Sequence, residues 1–384
     1  MQEYTYKQNQ LKALLERYKL NGLLLNRVSS ISWATCGLNS AVNTATTNGP
    51  VRLLITKDKN YLITKNIEAP RLEQEGQLKT QGWEFIVAPW YEQELDPREL
   101  IGGGPLGADI CYPGAIDLTA EISQLRSNLL PAEQARFKEL GGLCAAAMSK
   151  TMHAIKPGMT EFEIASILSS ETEKHGIKAI VNLVATDERI FKFRHPLPTE
   201  KQMEKYAMVV LCGRKWGLVC SLTRLVHFGN IPVEIQNKLN SVARIDAEFI
   251  KNTRPGKTID EVFSHARLAY QSEGFPDEWQ LHHQGGVTGY EPRESVAGPQ
   301  SKQIIQAGQF YAWNPSISGV KSEDTILVGE TENEVITKME DWPPIEVSVY
   351  GIKYQRPAIL QKLIEKPLTY SSRFSSEDPD QITK

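Results

Sequence analysis

The chain has 384 residues, of which 41% are hydrophobic and 23% are charged, and its formal net charge is −3 at pH 7. A chain of this length is expected to form two domains and to bury a sizeable core. The charge lacks the basic excess typical of nucleic-acid binding, and no window approaches 18 uncharged apolar residues, so we expect neither nucleic-acid nor membrane partners.

The elements predict three segments: residues 1–130, 131–355 and 356–384. The first opens with a polar helix that lacks the apolar core of a signal peptide, which predicts a cytoplasmic protein. Strand-like apolar runs follow the helix at residues 22–26, 51–58, 61–65 and 85–90. This alternation is typical of a small α/β domain. Pro131, followed by acidic residues, predicts the start of a long helix and marks the boundary.

The second segment contains an internal repeat, in which residues 155–176 align without a gap with residues 253–274, at an offset of 98. The matching pairs are Pro157/Pro255, Gly158/Gly256, Thr160/Thr258, Glu163/Glu261 and Gly176/Gly274. Each copy combines a helix, a Pro-Gly break, a capped helix and a glycine terminator, and strand-like sequence follows. We predict a duplicated ααβ unit with a cleft between its halves. Chance similarity of two helical hairpins is the alternative.

Between the two copies, residues 209–229 (VVLCGRKWGLVCSLTRLVHFG) have the pattern of two buried strands joined by a turn at Gly213 to Gly217. Such a strand pair suits the presentation of metal-binding carboxylates, yet this one contains no Asp and no Glu. After residue 355 we predict a C-terminal tail, which is polar and loosely held from Leu363 onward.

Three motifs of the second segment resemble the creatinase, aminopeptidase P and prolidase family, whose catalytic domain has the duplicated pita-bread fold. GVKSEDTILV at 319–328 is similar to the family strand G-x-[RK]-x-E-D-T-x-L-V. HHQGGVTGYEPRE at 282–294 and GQFYAWNPSI at 308–317 occupy the places of the histidine and E-P-G motifs. The resemblance covers nearly the whole chain. It implies an α+β protein with a creatinase-type N-terminal α/β domain and a pita-bread C-terminal domain.

The family's metallopeptidases hold two metal ions with two Asp, one His and two Glu, since hard or borderline divalent ions need anionic oxygens. By resemblance these positions fall at Val210 or Leu211, Ser221, His282, Asn314 and Glu323. One imidazole and one carboxylate are too few ligands for a metal pair. We therefore predict a site without metal and without another cofactor.

Creatinase, the enzyme that names the family, is metal-free, and the resemblance implies roles for the remaining polar residues. RHPLPTEK is similar to its H-N-P-V-T motif, which puts His195 on its catalytic histidine. His282 and Arg293 fall on its second substrate-contacting histidine and its carboxylate-binding arginine. Glu323 falls on a guanidinium-contacting glutamate. Creatinase has a second glutamate where this chain has Thr223, so creatine itself is an unsuitable substrate.

The histidines suit acid–base chemistry, because an imidazole that titrates near neutrality can activate water without a metal. Pro196 keeps His195 out of a helix, so the ring can project from a loop; the alternative is that His195 only caps that loop. On an extended segment the adjacent His282 and His283 would face opposite sides, and only one would enter the cleft. The resemblance favours His282.

A guanidinium presents a planar donor fork that suits a carboxylate, which favours Arg293 as the substrate anchor. Its alternative is an internal ion pair, either Arg293 with Glu294 or Arg224 with Glu323. We predict His195, His282 and Glu323 as catalytic residues. The predicted substrate contacts are Arg293, Asn314, Thr223, Arg224 and Tyr290.

These residues predict a metal-independent hydrolase of a small carboxylate-bearing C–N compound, of the creatinase-like amidinohydrolase or amidohydrolase type. One alternative is an Xaa-Pro dipeptidase or aminopeptidase with an atypical metal site. The other is a catalytically inactive pita-bread protein that binds a peptide or metabolite, as in a histone-chaperone subunit of this fold. The expected partner is a small-molecule or dipeptide-like substrate, and the resemblance implies a homodimer.

Overall fold

The computed structural model describes residues 2–363. Its N-terminal part is a six-stranded mixed sheet of order β4-β3-β2-β1-β5-β6, flanked by helices, as predicted for an α/β domain. The strands are β1 (Gly22–Arg27), β2 (Asn48–Ile55), β3 (Asn60–Lys65), β4 (Trp83–Ala88), β5 (Leu106–Ala108) and β6 (Ile116–Asp117). The helices are α1 (Gln2–Tyr18), α2 (Val28–Ala34), α3 (Ala69–Gln74) and α4 (Thr119–Ser127), with 3-10 turns at Leu78–Gln81 and Pro97–Ile101.

The C-terminal part builds two sheets backed by helices. The helices are α5 (Pro131–Ala154), α6 (Glu161–Glu173), α7 (Glu188–Lys192), α8 (Val233–Asn252) and α9 (Ile259–Ser272), with a 3-10 turn at Glu278–Leu281. The first half supplies β7 (Lys178–Thr186), β8 (Tyr206–Lys215) and β9 (Leu218–Phe228). The second half supplies β10 (Gly285–Thr288), β11 (Ser295–Val296), β12 (Phe310–Trp313), β13 (Ser316–Ile317), β14 (Val320–Lys321), β15 (Asp324–Leu327) and β16 (Glu334–Val335). The last strands are β17 (Pro344–Val349), β18 (Ile352–Pro357) and β19 (Leu360–Lys362).

The predicted duplication is confirmed element by element, because α5-α6-β7 and α8-α9-β10 repeat the same order. Gly158 and Gly256 occupy the same left-handed backbone conformation, with φ of +88° and +86°. Thr160 and Thr258 begin α6 and α9, and in both cases the acid three residues later accepts a hydrogen bond from the cap residue's backbone N–H. The shared sequence pattern therefore codes for shared local chemistry.

The two halves meet where β9 runs beside β15. The backbone N–H of Thr223 donates to the carbonyl of Glu323 at 3.2 Å, which bridges the sheet of order β19-β9-β8-β7 to the sheet of order β11-β10-β12-β15-β16. One residue pair away, the Thr325 hydroxyl bonds the backbone N–H and carbonyl of Ser221. The junction places the polar residues of both halves in one region.

The turn of the strand pair is tighter than predicted. β8 continues to Lys215, and only Trp216 and Gly217 form the turn, with φ of +53° and +78°. Positive φ at both positions is typical of the type I′ hairpin. Gly213 lies inside β8, where a Cβ would come within 2.7 Å of the Cys144 sulfur. That glycine serves close packing and not the turn.

The helix predicted at Pro131 begins there, but the apolar core does not divide at this point. Leu11 and Trp33 of the first part pack in one continuous cluster with Phe137 and Met148 of α5. Within residues 2–363, no helix combines the length and apolar character that crossing a membrane requires.

The described part of the predicted tail belongs to the fold. Arg356 is buried and pairs with Asp246 and Asp324, both at 2.6 Å. Residues 360–362 form β19, which lies parallel to β9. The tail prediction is therefore wrong for residues 356–362, because the ion pairs of Arg356 and the pairing of β19 with β9 hold this segment in the fold. Residues 364–384 lie outside the described residues.

Candidate active site

Three histidine side chains converge in the second part of the chain. His195 lies in the loop after α7, while His282 and His283 connect a 3-10 turn to β10. The Nε2 atoms of His195 and His282 are 3.0 Å apart. A ring nitrogen of each of the three lies within 4.8 Å of the others. His195 and His283 are exposed, whereas His282 is 9% exposed.

The expectation that His282 and His283 face opposite sides is wrong. Their rings stack, with centroids 4.4 Å apart and planes inclined by 26°. The regular alternation of a strand does not apply to them, since β10 begins only at Gly285, where φ of +108° bends the chain. His283 is therefore a member of the site that sequence reasoning missed.

Burial and neighbouring positive charge keep the three imidazoles neutral. Burial, followed by the charge of Lys321, lowers the pKa of His282 to about 2. Burial, followed by the charge of Arg293, lowers the pKa of His283 to about 4. Partial burial of the ring, then Lys321, also lowers the pKa of His195. A neutral ring has one N–H and one lone pair, and the 3.0 Å contact sets the N–H of either His195 or His282 against the lone pair of the other.

Glu323 is enclosed by three partners and is 2% exposed. One carboxylate oxygen accepts from the Thr223 hydroxyl at 2.6 Å and pairs with Lys321 Nζ at 2.9 Å, and the other pairs with Arg293 at 3.2 Å. Burial raises its pKa, but the charges of Lys321 and Arg293 outweigh burial and lower the pKa to about 2. With both oxygens engaged, Glu323 holds the two cations in place. The catalytic role of Glu323 and the substrate contact of Thr223 stay predictions, and in this structure the Thr223 hydroxyl donates to Glu323.

Arg293 keeps a free donor. Its Nη1 donates to the Pro292 carbonyl at 2.6 Å and to the Ser221 hydroxyl at 3.3 Å, while its buried Nε makes no hydrogen bond within residues 2–363. Arg293 also lies on the wall of a cleft of about 1100 Å³ between α4 and residues 291–309. The lining of that cleft does not include the three histidines, Asn314 or Glu323, so the role of Arg293 as a substrate anchor stays a prediction.

Lys321 is a second residue of the candidate site that sequence reasoning missed. Its side chain is 6% exposed, and it borders a void of about 10 Å³ together with His282 and Ser316. That volume is close to the space that one water molecule needs. The signal for Lys321 is its position two residues before Glu323 in an extended segment, because alternate residues of such a segment face the same side.

Asn314 is buried next to the histidine segment. Its backbone N–H donates to the Gln284 carbonyl at 3.0 Å. Its side-chain oxygen has no hydrogen-bond partner within the described residues. A buried amide oxygen without a partner is costly unless a water or a ligand completes it, and the substrate contact of Asn314 stays a prediction.

Arg224 and Tyr290 contact buried carboxylates of the chain itself, which corrects their predicted roles in substrate binding. Arg224 is buried and pairs with Asp324 at 2.8 Å. The Tyr290 hydroxyl donates to Glu133 at 2.7 Å, and the residue is 1% exposed. Both side chains satisfy buried carboxylates and so stabilise the fold.

Residues 135–330, about half of the chain, match the model of metallopeptidase family M24. The chain belongs to metallopeptidase family M24. An uncharacterized peptidase of Staphylococcus epidermidis is 27% identical over 238 residues, which cover 58% of this chain and 66% of that protein. A second uncharacterized peptidase, from Staphylococcus aureus, is 25% identical over 240 residues, with shares of 59% and 66%. The matches span slightly less than two thirds of these relatives, and M24 membership supports a hydrolase of the peptidase type.

Solved structures confirm the pita-bread architecture with its N-terminal domain. An Xaa-Pro dipeptidase from Bacillus anthracis superposes with a TM-score of 0.74 at 19% identity, covering 94% of this chain and 100% of that one. A prolidase from Thermococcus sibiricus gives 0.75 at 16%, covering 88% and 97%. The N-terminal domain of FACT complex subunit SPT16 from Cicer arietinum gives 0.66 at 12%, covering 88% and 96%. At these identities the likeness shows the fold alone.

The pair of metal ions that M24 membership implies does not fit these side chains. By the resemblance, the first ligand position falls on Val210 or Leu211 of β8, and two others fall on Ser221 and Asn314, which are neutral. The one retained carboxylate, Glu323, already pairs with Arg293 and Lys321. Two divalent ions would meet two fixed positive charges, with a single anion to offset them.

Proposed function

We propose that the protein hydrolyses a C–N bond in a small carboxylate-bearing compound, with imidazoles in place of metal ions as the groups that activate water. The observation that carries the proposal is the contact of Arg293 and Lys321 with Glu323. In this arrangement the chain's own cations supply positive charge where family relatives are expected to place metal ions. The M24 fold and the neighbouring neutral imidazoles support a hydrolase of this kind.

The charges of the site favour an anionic substrate. Arg293 and Lys321 are positive and Glu323 is negative, so these three groups leave one positive charge in excess. The free Nε donor of Arg293 suits a carboxylate. A guanidinium substrate would meet like charge, and Thr223 offers it no anion, so creatine is disfavoured. Dipeptides stay within the proposed class, because they carry a carboxylate beside a C–N bond.

The proposed reaction uses a water molecule beside the contact of His195 with His282. As the water oxygen bonds to the scissile carbon, a water proton passes to the lone pair of His195 Nδ1, because the contact with His282 occupies Nε2. An N–H of His282 stabilises the negative charge that develops on the carbon's oxygen or nitrogen substituent. His195 then donates its proton to the leaving nitrogen while the C–N bond breaks, which returns the imidazole to its neutral form.

The test is an assay of chelator-treated protein against N-acyl amino acids, guanidino acids and dipeptides, including Xaa-Pro. We expect turnover of one class without added metal. The carboxamide analogue of the reactive compound should lose more than about 100-fold in kcat/KM, because it leaves Arg293 without an anionic partner. His195→Ala should lose about 10²- to 10⁴-fold, the usual worth of a general base.

His175→Ala is the matched control, since His175 lies outside the histidine cluster and should keep full activity. Turnover that requires Mn²⁺ or Co²⁺ would instead support the dipeptidase alternative. Carboxylate binding that depends on Arg293, without any turnover, would support the inactive binding protein. The homodimer and the cytoplasmic location stay predictions.

A further inference from the structure

We propose that His195, His282 and His283 together bind one divalent transition-metal ion of the Zn²⁺ class, and that this ion inhibits hydrolysis instead of supporting it. The binding half of the proposal depends only on the histidine cluster. The inhibitory half rests on the proposed function, because it assumes that the same imidazoles are the acid–base groups.

The geometry of the cluster is close to that of a three-histidine metal site. With Zn–N bonds of about 2.0–2.1 Å, two nitrogens of a tetrahedral site are about 3.4 Å apart. The observed His195–His282 separation is 3.0 Å, and the widest separation in the cluster is within 4.8 Å. Both His195 and His283 are exposed, so small changes of their side-chain torsions can close the difference.

The ligand type selects the metal. Three imidazole nitrogens favour Zn²⁺, Cu²⁺, Ni²⁺ and Co²⁺, whereas Mg²⁺, Ca²⁺ and Mn²⁺ prefer carboxylate and carbonyl oxygens. Three protein ligands also leave a fourth position for water or a solute. The proposed site therefore differs in stoichiometry, ligand set and metal preference from a carboxylate-bridged pair of ions.

The neighbouring side chains include some that oppose the binding of a cation and some that favour it. Lys321 and Arg293 repel it, and Glu323 offsets one of these charges. In favour of binding, the Nε2 atoms of His195 and His282 already face each other at 3.0 Å, and the proton of this contact would have to move to the Nδ1 atom of its ring. The buried Nδ1 of His282 has no hydrogen-bond partner within residues 2–363, so no contact of that atom fixes the tautomer of the ring.

Metal binding would remove the groups on which the proposed reaction depends. A lone pair that is donated to the ion is unavailable to the proton of the attacking water. We therefore expect hydrolysis to fall in proportion to the occupied fraction of the histidine site.

Isothermal titration of the chelator-treated full chain with Zn²⁺ tests the binding half. We expect one ion per chain, a visible absorption band when Co²⁺ is used, and no heat with Mg²⁺ or Mn²⁺. His283→Ala and His195→Ala should each weaken Zn²⁺ binding by more than about 100-fold, since loss even of a partner that only orients a ligand costs 10- to 100-fold. The exposure of both side chains makes these variants compatible with folding.

Two variants complete the design. His175→Ala should bind Zn²⁺ as the wild type does, because His175 is outside the cluster. Lys321→Met should tighten binding, because it removes a repelling charge. Zn²⁺ binding that survives His283→Ala and His195→Ala, or a stoichiometry of two, would overturn the proposal.

The two proposals fail in different ways. If Zn²⁺ binds to the cluster while metal-free protein is inactive and becomes active with the ion, the metal-independent function is wrong and the site remains. If metal-free protein hydrolyses its substrate but no titration detects Zn²⁺, the site is wrong and the function remains. If both hold, added Zn²⁺ should inhibit wild type and leave the residual activity of His283→Ala unaffected over the same range.

Discussion

Lys321 sets the electrostatic state of the candidate site. Its ammonium group pairs with Glu323 at 2.9 Å and, after burial, is the largest charge effect that lowers the pKa of His195 and His282. A base acts only in its neutral form. Because these pKa values are below the ordinary value, the neutral form should persist into mildly acidic solution.

We expect kcat/KM of the chelator-treated protein to be constant from about pH 8 to below about pH 6.5, the ordinary histidine pKa, and to fall only at lower pH. Lys321→Met should move the acidic limb of the profile to higher pH, because it removes a charge that opposes protonation of His195. Lys338→Met, at an exposed ion pair, is the matched control and should leave the limb unchanged. If the acidic limb of the Lys321→Met profile stays at the pH of the wild type or moves to lower pH, this role of Lys321 is contradicted.

The sequence predicts some residues of the site and misses others for identifiable reasons. Motif resemblance points to His195, His282 and Arg293, because these residues lie in motifs that follow one another in the same order as in the family. The same resemblance gives Glu323 but not its contact with Lys321, because motif matching does not evaluate ion pairs, and the catalytic role of Glu323 stays a prediction. His283 is missed because the rule of alternating faces holds only in a regular strand.

Ion-pair partners depend on contacts from remote elements. The alternatives from the sequence paired Arg224 with Glu323 and Arg293 with Glu294, but Arg224 pairs with Asp324 and Arg293 with Glu323. Glu294 instead pairs with Arg126 of α4 at 2.7 Å. That partner is far away in sequence, so no local pattern identifies it.

At the scale of elements, the duplicated helix pairs are the part of the fold that the sequence predicts best. Their glycines and threonine caps act through local backbone chemistry, which a short segment specifies on its own. The turn between β8 and β9 is predicted less well. Glycine is typical of turns, but Gly213 lies in a strand and leaves room for the Cys144 sulfur of α5. This is a tertiary contact, which a local pattern does not predict.

Gly158→Ala and Gly256→Ala should destabilise the protein equally. Both glycines have φ near +87°, and a Cβ at either would meet no atom within 4 Å, so the cost is that of the left-handed backbone, about 1–2 kcal/mol. Gly142→Ala in α5 is the matched control. A Cβ there also meets no atom, and alanine should raise the free energy of unfolding by about 0.5–1 kcal/mol. Urea unfolding measures all three, and unequal losses at the two repeat positions would contradict the equivalence.

At the scale of the whole molecule, the N-terminal and C-terminal parts share a core and a buried ion pair. Lys7 of α1 contacts Glu133 of α5 at 2.7 Å, and both side chains are fully buried. Tyr290 donates to the same carboxylate. This contact joins elements from both predicted domains. The parts should therefore unfold together, although chains with two domains often unfold in steps.

Lys7→Met should lower the free energy of unfolding by about 3–5 kcal/mol, because Glu133 would remain buried without its cation. Tryptophan fluorescence and far-ultraviolet circular dichroism should report one coincident transition in wild type. Lys59→Met, at an exposed pair with Glu84, should cost less than about 1 kcal/mol. Separate transitions in wild type would show that the two parts are energetically independent.

The contact of Glu323 with two side-chain cations has a consequence for how the protein responds to its environment. An ammonium or guanidinium group tethered by peptide bonds does not dissociate, so its charge is constant whatever the concentration of free ions. Because these groups are covalently attached, they also cannot be exchanged for other cations. The positive charge that they supply to the site is therefore fixed by the amino-acid sequence. Under the proposed function only a change of the sequence alters this charge, while Zn²⁺ at the three histidines would act by engaging their lone pairs.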